Sequence, residues 1–300
     1  MTGSQEIYLR GRRGLYVFNP FPPNRPLGEG GMGKVYAGMK SDGTPVAIKV
    51  LFGQLAAEKQ FVERFETEAL IQTSLSHPHI IASYDFVLAN GKYHIVSQLI
   101  KGVCIAEYLW PGRLRRDASE PLMIPSTDLF CQVLDALHYL HSQTPPIIHR
   151  DIKPDNIMVQ NGKAIVMDLG VAKVTGGKRQ TSVGIVIGTP QYSPPEQIRG
   201  ESNNINATTD IYAAGIAFYE LITGKPPFNG SNEYSIMEMQ VKYNIPPSDA
   251  IPPGIYNVLK KATAKKQSDR YQTALEFKEA LLQTKNYKAG WWDKLKGMFS

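Results

Sequence analysis

Apolar and polar residues alternate in short runs through the first third of the chain and recur at helical spacing through the rest. Residues 34–38 and Pro45–Leu51 are β-branched or apolar runs joined by Ser41-Asp42-Gly43-Thr44, and read as two strands and their turn. Residues 80–88 and 93–99 flank Asn90-Gly91, a dipeptide suited to a tight hairpin turn, and read as two more strands. Between these pairs Phe61, Phe65, Ala69 and Leu75 recur near helical spacing, which predicts a helix from about residue 60 to 75. After Gly102 the periodicity turns helical. Leu129, Val133, Leu137 and Leu140 share one face of a predicted helix over 127–142. Residues 210–223 are mostly apolar, as in a buried helix, and Gly224 stands where a C-terminal cap would. A further amphipathic helix is predicted over 274–282. The pattern is that of an α+β chain, a small β-rich part followed by a larger α-rich part.

The two ends differ from this body. Residues 1–24 carry Arg10, Arg12 and Arg13, then Asn19-Pro20-Phe21-Pro22-Pro23, whose prolines exclude a helix. They read as an irregular N-terminal extension with a short strand at Leu15–Phe18. At the other end, residues 286–300 form an amphipathic tail. On a helix Trp291, Trp292, Leu295, Met298 and Phe299 gather on one face, with Lys294 and Lys296 off it. Such a face suits docking on protein, this chain's own domain included, or weak contact with a membrane surface, or no fixed structure at all.

Composition narrows the class without naming it. With 300 residues, 42% hydrophobic and 20% charged, the chain is long enough for one large core or two lobes. Cys104 and Cys131 lie in no metal-ligand spacing, which argues against a disulfide scaffold and a zinc site. A start without a signal-peptide pattern and the lack of a long apolar run predict a cytoplasmic protein. The formal charge of +6 suits a protein that handles phosphates but singles out no partner, and nothing points to nucleic acid.

Four stretches carry chemistry. Gly28-Glu29-Gly30-Gly31-Met32-Gly33 is followed by Val35 in a strand-like run. The same glycine spacing occurs in dinucleotide folds, where a helix follows; a strand after it favours a hairpin laid over phosphates. Lys49 sits inside the apolar run Val46-Ala47-Ile48-Lys49 and needs an anionic ligand or a carboxylate partner. Glu68 is the candidate partner, with Glu63 and Glu66 as competitors. The third stretch, His149-Arg150-Asp151-Ile152-Lys153-Pro154-Asp155-Asn156, packs polar groups between apolar runs, as a preformed site requires. Asp151 can accept a hydroxyl proton, Lys153 can neutralise a moving phosphoryl group, and Asn156 offers an amide oxygen to a hard cation. Asp168, ending the run Ala164-Ile165-Val166-Met167, adds a second such oxygen.

In this order and spacing the four motifs resemble those of the eukaryotic-type Ser/Thr protein kinases. Gly-Glu-Gly-Gly-Met-Gly, Ser76-His77-Pro78-His79-Ile80 and Asp210-Ile211-Tyr212-Ala213-Ala214-Gly215 are most similar to the bacterial members. The resemblance implies a two-lobed protein kinase fold over 25–285, with a small β-rich lobe over 25–99 and an α-rich lobe over 100–285. It implies ATP and Mg2+ as cofactors and proteins as substrates. Lys49, paired with Glu68, would hold the α- and β-phosphates beneath the glycine loop. Asp151 would take the acceptor proton, Lys153 would stabilise the moving phosphoryl, and Asn156 and Asp168 would hold magnesium. Val35 and Ala47 above and Met158 below would sandwich adenine, with the backbone at Gln98 and Leu99 along its edge. Gly188-Thr189-Pro190-Gln191-Tyr192-Ser193-Pro194-Pro195-Glu196 resembles the peptide-receiving segment, with Pro195 where the family usually has Ala. Glu196 would pair with Arg270, and Asp210 would brace the catalytic loop. Thr181 and Ser182 are the expected activation-loop phosphosites, facing Arg150. The rivals are an interaction module that binds nucleotide without transferring phosphate and a small-molecule phosphotransferase. Filled catalytic positions argue against the first, and the peptide segment against the second.

Overall fold

A computed structural model of the chain describes residues 6–30, 33–51, 69, 71–109, 126–169 and 190–284. The chain divides into two compact units between Lys101 and Gly102. Among the described residues no helix is long and apolar enough to cross a membrane.

The first unit is built on one antiparallel sheet. Its strands are β1 (Ile7–Arg10), β2 (Leu15–Phe18), β3 (Gly28–Gly30), β4 (Gly33–Lys40), β5 (Pro45–Leu51), β6 (Ser83–Ala89) and β7 (Lys92–Gln98). Their order is β1-β2-β4-β5-β7-β6, with β3 paired to β4. The β6–β7 turn is Asn90-Gly91, at φ 52° and 69°; two successive left-handed residues match the twist of the strands they join. Helix α1 is described at residues 69 and 71–74, and the rest of the stretch predicted over 60–75 lies outside the described residues.

The expected short strand at Leu15–Phe18 is β2, but the expectation of an otherwise irregular N-terminal extension is corrected by this sheet. β1 and β2 form a hairpin in register Ile7↔Phe18 to Arg10↔Leu15, and β2 joins β4 through Tyr16↔Lys40 and Phe18↔Gly38. The reason is period-two burial in two very short strands. Leu9, Tyr16 and Phe18 point inward to join Tyr36, Val46, Ile48, Val87 and Val96 in one core, while Tyr8 and Leu15 stay exposed. The prolines that exclude a helix fall after the hairpin.

The second unit opens with β8 (Val103–Cys104) and α2 (Ile105–Leu109). It continues through α3 (Ser126–His141), β9 (Ile157–Gln160), β10 (Lys163–Val166), α4 (Pro195–Ile198), α5 (Ala207–Thr223), α6 (Glu233–Lys242) and α7 (Pro253–Ala262). Helix α8 spans 274–284. Helix α5 is buried on nearly every side and organises the unit. The sequence placed its start at residue 210, but a capping box moves it back to Ala207. The Asn206 side chain accepts from Thr208 N, and the Thr209 hydroxyl accepts from Asn206 N. Gly224, at φ 74°, closes the other end with its N–H on Glu220 O. Helix α3 lays Leu129, Val133, Leu137 and Leu140 into the core, and its Phe130 stacks on Phe218 of α5 with centroids 4.4 Å apart. The strands β10-β9-β8 make a small antiparallel sheet, and 3-10 turns at Pro154–Asn156 and Pro190–Tyr192 carry the polar segments around it.

Candidate active site

The loop after α3 is held by one buried carboxylate. Asp210, on α5, accepts from His149 N on Oδ2 and from Arg150 N on Oδ1, each at 2.7 Å. His141 Nε2, from α3, lies 2.8 Å from Oδ2. Burial by itself would raise the Asp210 carboxyl; the hydrogen bond and charge of His141, with the His149 group, outweigh it and lower the pKa. Arg150 sits at φ 64°, a left-handed conformation that costs a non-glycine residue about 1–2 kcal/mol. It is held from both sides, since Gln197 Nε2 of α4 donates to Arg150 O at 3.1 Å.

His149 is fully buried and its pKa is lowered by that burial, so the ring is neutral. Its tautomer follows from its partners. Asp151 N can only donate, and it lies 3.3 Å from Nδ1; Met167 O can only accept, and it lies 3.0 Å from Nε2. The proton is therefore on Nε2. The ring thus links the backbone of Asp151 to the strand end that leads to Asp168.

Around Asp151 the structure brings together the residues singled out from the sequence. Asn156 Nδ2 donates to Asp151 O at 2.8 Å and to Oδ2 at 3.1 Å. Lys153 Nζ lies 3.5 Å from Asp151 Oδ2, both side chains about one-fifth exposed. Cys104 Sγ donates to Pro154 O at 3.1 Å and to Asp155 O at 3.3 Å; burial raises this thiol to about 11 and keeps it protonated. Asp168 follows β10 at φ 46°, and Met167 N donates to Asn156 O at 2.8 Å, so Asp168 stands beside Asn156 at the end of the β9–β10 hairpin. Because Asn156 spends Nδ2 on Asp151, its Oδ1 is the amide atom left for a cation. One amide oxygen and one carboxylate form the sparse, hard donor set that Mg2+ takes together with water and phosphate. Among the described residues there is no cluster of three or more His, Cys, Asp or Glu that would suggest another metal.

In the first unit Lys49 pairs across β4 with Val35 and across β7 with Ile95, while Ala47 pairs with Ser97. By strand alternation Val35, Ala47, Lys49 and Ser97 share one sheet face. Gly28, Glu29 and Gly30 pair with Val35, Lys34 and Gly33. The glycine motif therefore runs from strand to strand, not from strand to helix. Gln98 N donates to Ala82 O at 2.8 Å. Gly31, Met32, Glu68, Thr181 and Ser182 lie outside the described residues.

The segment resembling a peptide platform is anchored by a bidentate pair. Arg270 Nη1 and Nη2 meet Glu196 Oε1 and Oε2 at 2.8 and 2.9 Å, and Thr209 adds a hydroxyl to Oε1 at 3.0 Å. Burial would raise Glu196, but Arg270 overrides it and the pKa is lowered. Tyr192 donates to Glu220 Oε2 at 2.5 Å, and Gln240 Nε2 of α6 bonds Gln191 O. Arg150, Asp151, Tyr192, Ser193 and Gln197 line a small recess beside the catalytic loop. Gln197, His141 and Glu220 were not singled out from the sequence. Their partners are 47, 69 and 28 residues away, and nothing local marks such pairings.

Comparison with known proteins agrees with this geometry. The family model described as "Protein kinase domain" matches residues 21–284. Serine/threonine-protein kinase Pkn1 of Myxococcus xanthus is 35% identical over 269 residues, covering 86% of this chain and 37% of its own length. Serine/threonine-protein kinase PknB of Mycobacterium tuberculosis is 35% identical over 277 residues, covering 87% of this chain and 42% of its own. The chain thus spans about two-fifths of the length of these curated relatives. The crystal structure of the Mycobacterium tuberculosis PknI kinase domain superimposes with a TM-score of 0.62 at 24% identity, covering 86% of this chain and 94% of that one. With its α+β, two-lobed fold and its catalytic-loop geometry, the chain belongs to the protein kinase domain family.

Proposed function

We propose that the chain is a magnesium-dependent protein kinase that transfers the γ-phosphoryl group of ATP to serine and threonine hydroxyls, its own Thr181 and Ser182 included. Its kinase domain spans 25–285. The observation that carries this reading is the fixing of Asp151, whose backbone and carboxylate are held by His149, Asn156 and, through the adjoining peptides, Asp210. A carboxylate so held can orient an acceptor hydroxyl and receive its proton as the oxygen–phosphorus bond forms and the bond to the ADP oxygen breaks. Lys153, 3.5 Å from that carboxylate, neutralises charge on the moving phosphoryl. Lys49, with Glu68, holds the phosphates, the glycine loop covers them, and Val35, Ala47, Met158 and the backbone at Gln98 and Leu99 receive adenine. Asn156 and Asp168 would hold Mg2+, which supplies charge neutralisation on the phosphate oxygens. The curated relatives, named as serine/threonine kinases, support the choice of acceptor. The protein acts in the cytoplasm, and its tail over 286–300 adds a weak docking contact with protein or membrane.

The test is incubation with Mg2+, labelled ATP and a generic protein substrate, followed by identification of the labelled residues. Label on serine or threonine is expected. No transfer, or label confined to small molecules, would overturn the proposal.

A further inference from the structure

Helix α6 buries two side chains, Ile236 and Gln240, one turn apart on the same face. Ile236 is an ordinary core residue. Gln240 is 0% exposed, and a buried amide costs free energy unless both of its ends are satisfied. Both are. Gln240 Nε2 donates to Gln191 O, and Gln240 Oε1 accepts from the Tyr212 hydroxyl of α5 at 2.6 Å.

The partners fix the direction of each bond. Gln191 O can only accept, so the amide turns Nε2 toward it and Oε1 toward Tyr212. The Tyr212 hydroxyl spends its one proton on Gln240, whose backbone O lies 3.2 Å away as a second, longer contact. The hydroxyl oxygen accepts in turn from Lys265 Nζ at 2.7 Å. Lys265 is itself held over the rings of Tyr212 and Phe228, 5.0 Å from each centroid. One directed chain therefore runs from Lys265 through Tyr212 and Gln240 to Gln191, and bonds aligned head to tail strengthen one another.

This chain ends on the 3-10 turn Pro190–Tyr192. The two residues after Gln191, Tyr192 and Ser193, line the recess beside Asp151. Arg270 anchors the same segment five residues further on, at Glu196. We propose that Gln240 is a positioning residue for the peptide-receiving segment. Oriented by Tyr212, its amide sets the backbone of Gln191 and with it the wall of the recess formed by Tyr192 and Ser193. This rests on the kinase reading above, in which an acceptor peptide lies against that wall.

The test compares wild type with Gln240→Met, Tyr212→Phe and the double variant, by steady-state kinetics with a serine peptide and by amide hydrogen exchange. Gln240→Met keeps the length of the side chain and removes both bonds. It should raise KM for the peptide about three- to tenfold, the scale of one lost hydrogen bond, and leave KM for ATP and kcat at saturating peptide within about twofold. Amides of 191–193 should exchange faster. Tyr212→Phe, one oxygen smaller, should raise the peptide KM in the same direction by less, and carries the test should Gln240→Met fail to fold. Added to Gln240→Met it should change nothing further, because the bond it breaks is already gone. An unchanged peptide KM, a parallel rise in KM for ATP, unchanged exchange at 191–193 or additive effects of the two substitutions would each overturn the proposal. A wild-type chain that transfers no phosphate counts against the kinase reading instead, and the exchange comparison needs no turnover.

Discussion

Gln197 Nε2 donates to Arg150 O across 3.1 Å, tying the helix that follows the peptide segment to the residue that precedes Asp151. Arg150 N is meanwhile bonded to Asp210. The strained peptide of Arg150 is thus held at one end by the central helix and at the other by α4. Gln197→Met keeps the length of the side chain and removes the donor. It should lower phosphoryl transfer about three- to tenfold with little change in KM for ATP, as one lost hydrogen bond predicts. Steady-state kinetics with a peptide substrate would decide it, and an unchanged kcat would show that Asp210 alone suffices.

Removing only one partner of the Glu196–Arg270 pair leaves a buried charge uncompensated. Both side chains are almost inaccessible, 0% for Arg270 and 4% for Glu196. Arg270→Met should cost about 3–5 kcal/mol of stability. The double variant with Glu196→Gln should cost less than the sum of the two single changes. Denaturant unfolding of the four proteins measures this, and strict additivity would speak against a coupled pair.

Asp151→Asn preserves the shape that Asn156 holds but takes away the proton acceptor. Transfer should fall about 10²–10⁴-fold while nucleotide binding persists. Asp168→Asn should act differently, raising the Mg2+ concentration needed for half-maximal nucleotide binding. Calorimetric titration of ATP at several Mg2+ concentrations separates the two, and near-normal turnover of the Asp151 variant would defeat its assigned role.

Glu220 is fully buried, its Oε1 has no hydrogen-bond partner among the described residues, and burial, opposed by the Tyr192 hydroxyl and reinforced by the charge of Asp155, raises its pKa from 4.5 to about 7. The folded state keeps a proton that the unfolded state releases. Stability from this group is therefore present below pH 4.5, declines as pH rises to about 7, and is gone above it. Glu220→Gln is uncharged throughout and still offers the Tyr192 hydroxyl an acceptor. Its advantage over wild type should be small at pH 5 and reach up to about 3 kcal/mol at pH 8. Thermal unfolding at the two pH values checks the sign, and a difference independent of pH would refute it.

Elements with local periodicity were legible in the sequence. The face Leu129, Val133, Leu137 and Leu140 becomes the buried face of α3, and Asn90-Gly91 becomes the tight turn it suggests. Of the hairpin over 7–18 the strand Leu15–Phe18 was legible, whereas β1, four residues long, offers too few alternations to register, and only the meeting of Leu9 with the core around Val46, Ile48 and Val96 explains it. The site divides the same way. Asp151, Lys153 and Asn156 are neighbours in the chain as well as in space. The groups that hold them, His141, Gln197 and Asp210, come from three helices and could be placed only by the fold or, for Asp210, by family resemblance.

The joining of the β1–β2 hairpin to its sheet also sets an order of events during synthesis. The hydrogen bonds from Arg12 N, Arg13 N and the Tyr16 hydroxyl to the Asp85 carboxylate span 69 to 73 residues, so the hairpin strands must wait for one of the last strands of their sheet. Until Asp85 emerges, Leu9, Tyr16 and Phe18 have no finished core to enter. A nascent chain stalled before β6 leaves these apolar side chains open to chaperones and proteases, so closure of the hairpin on its sheet is a late step in completing the first unit.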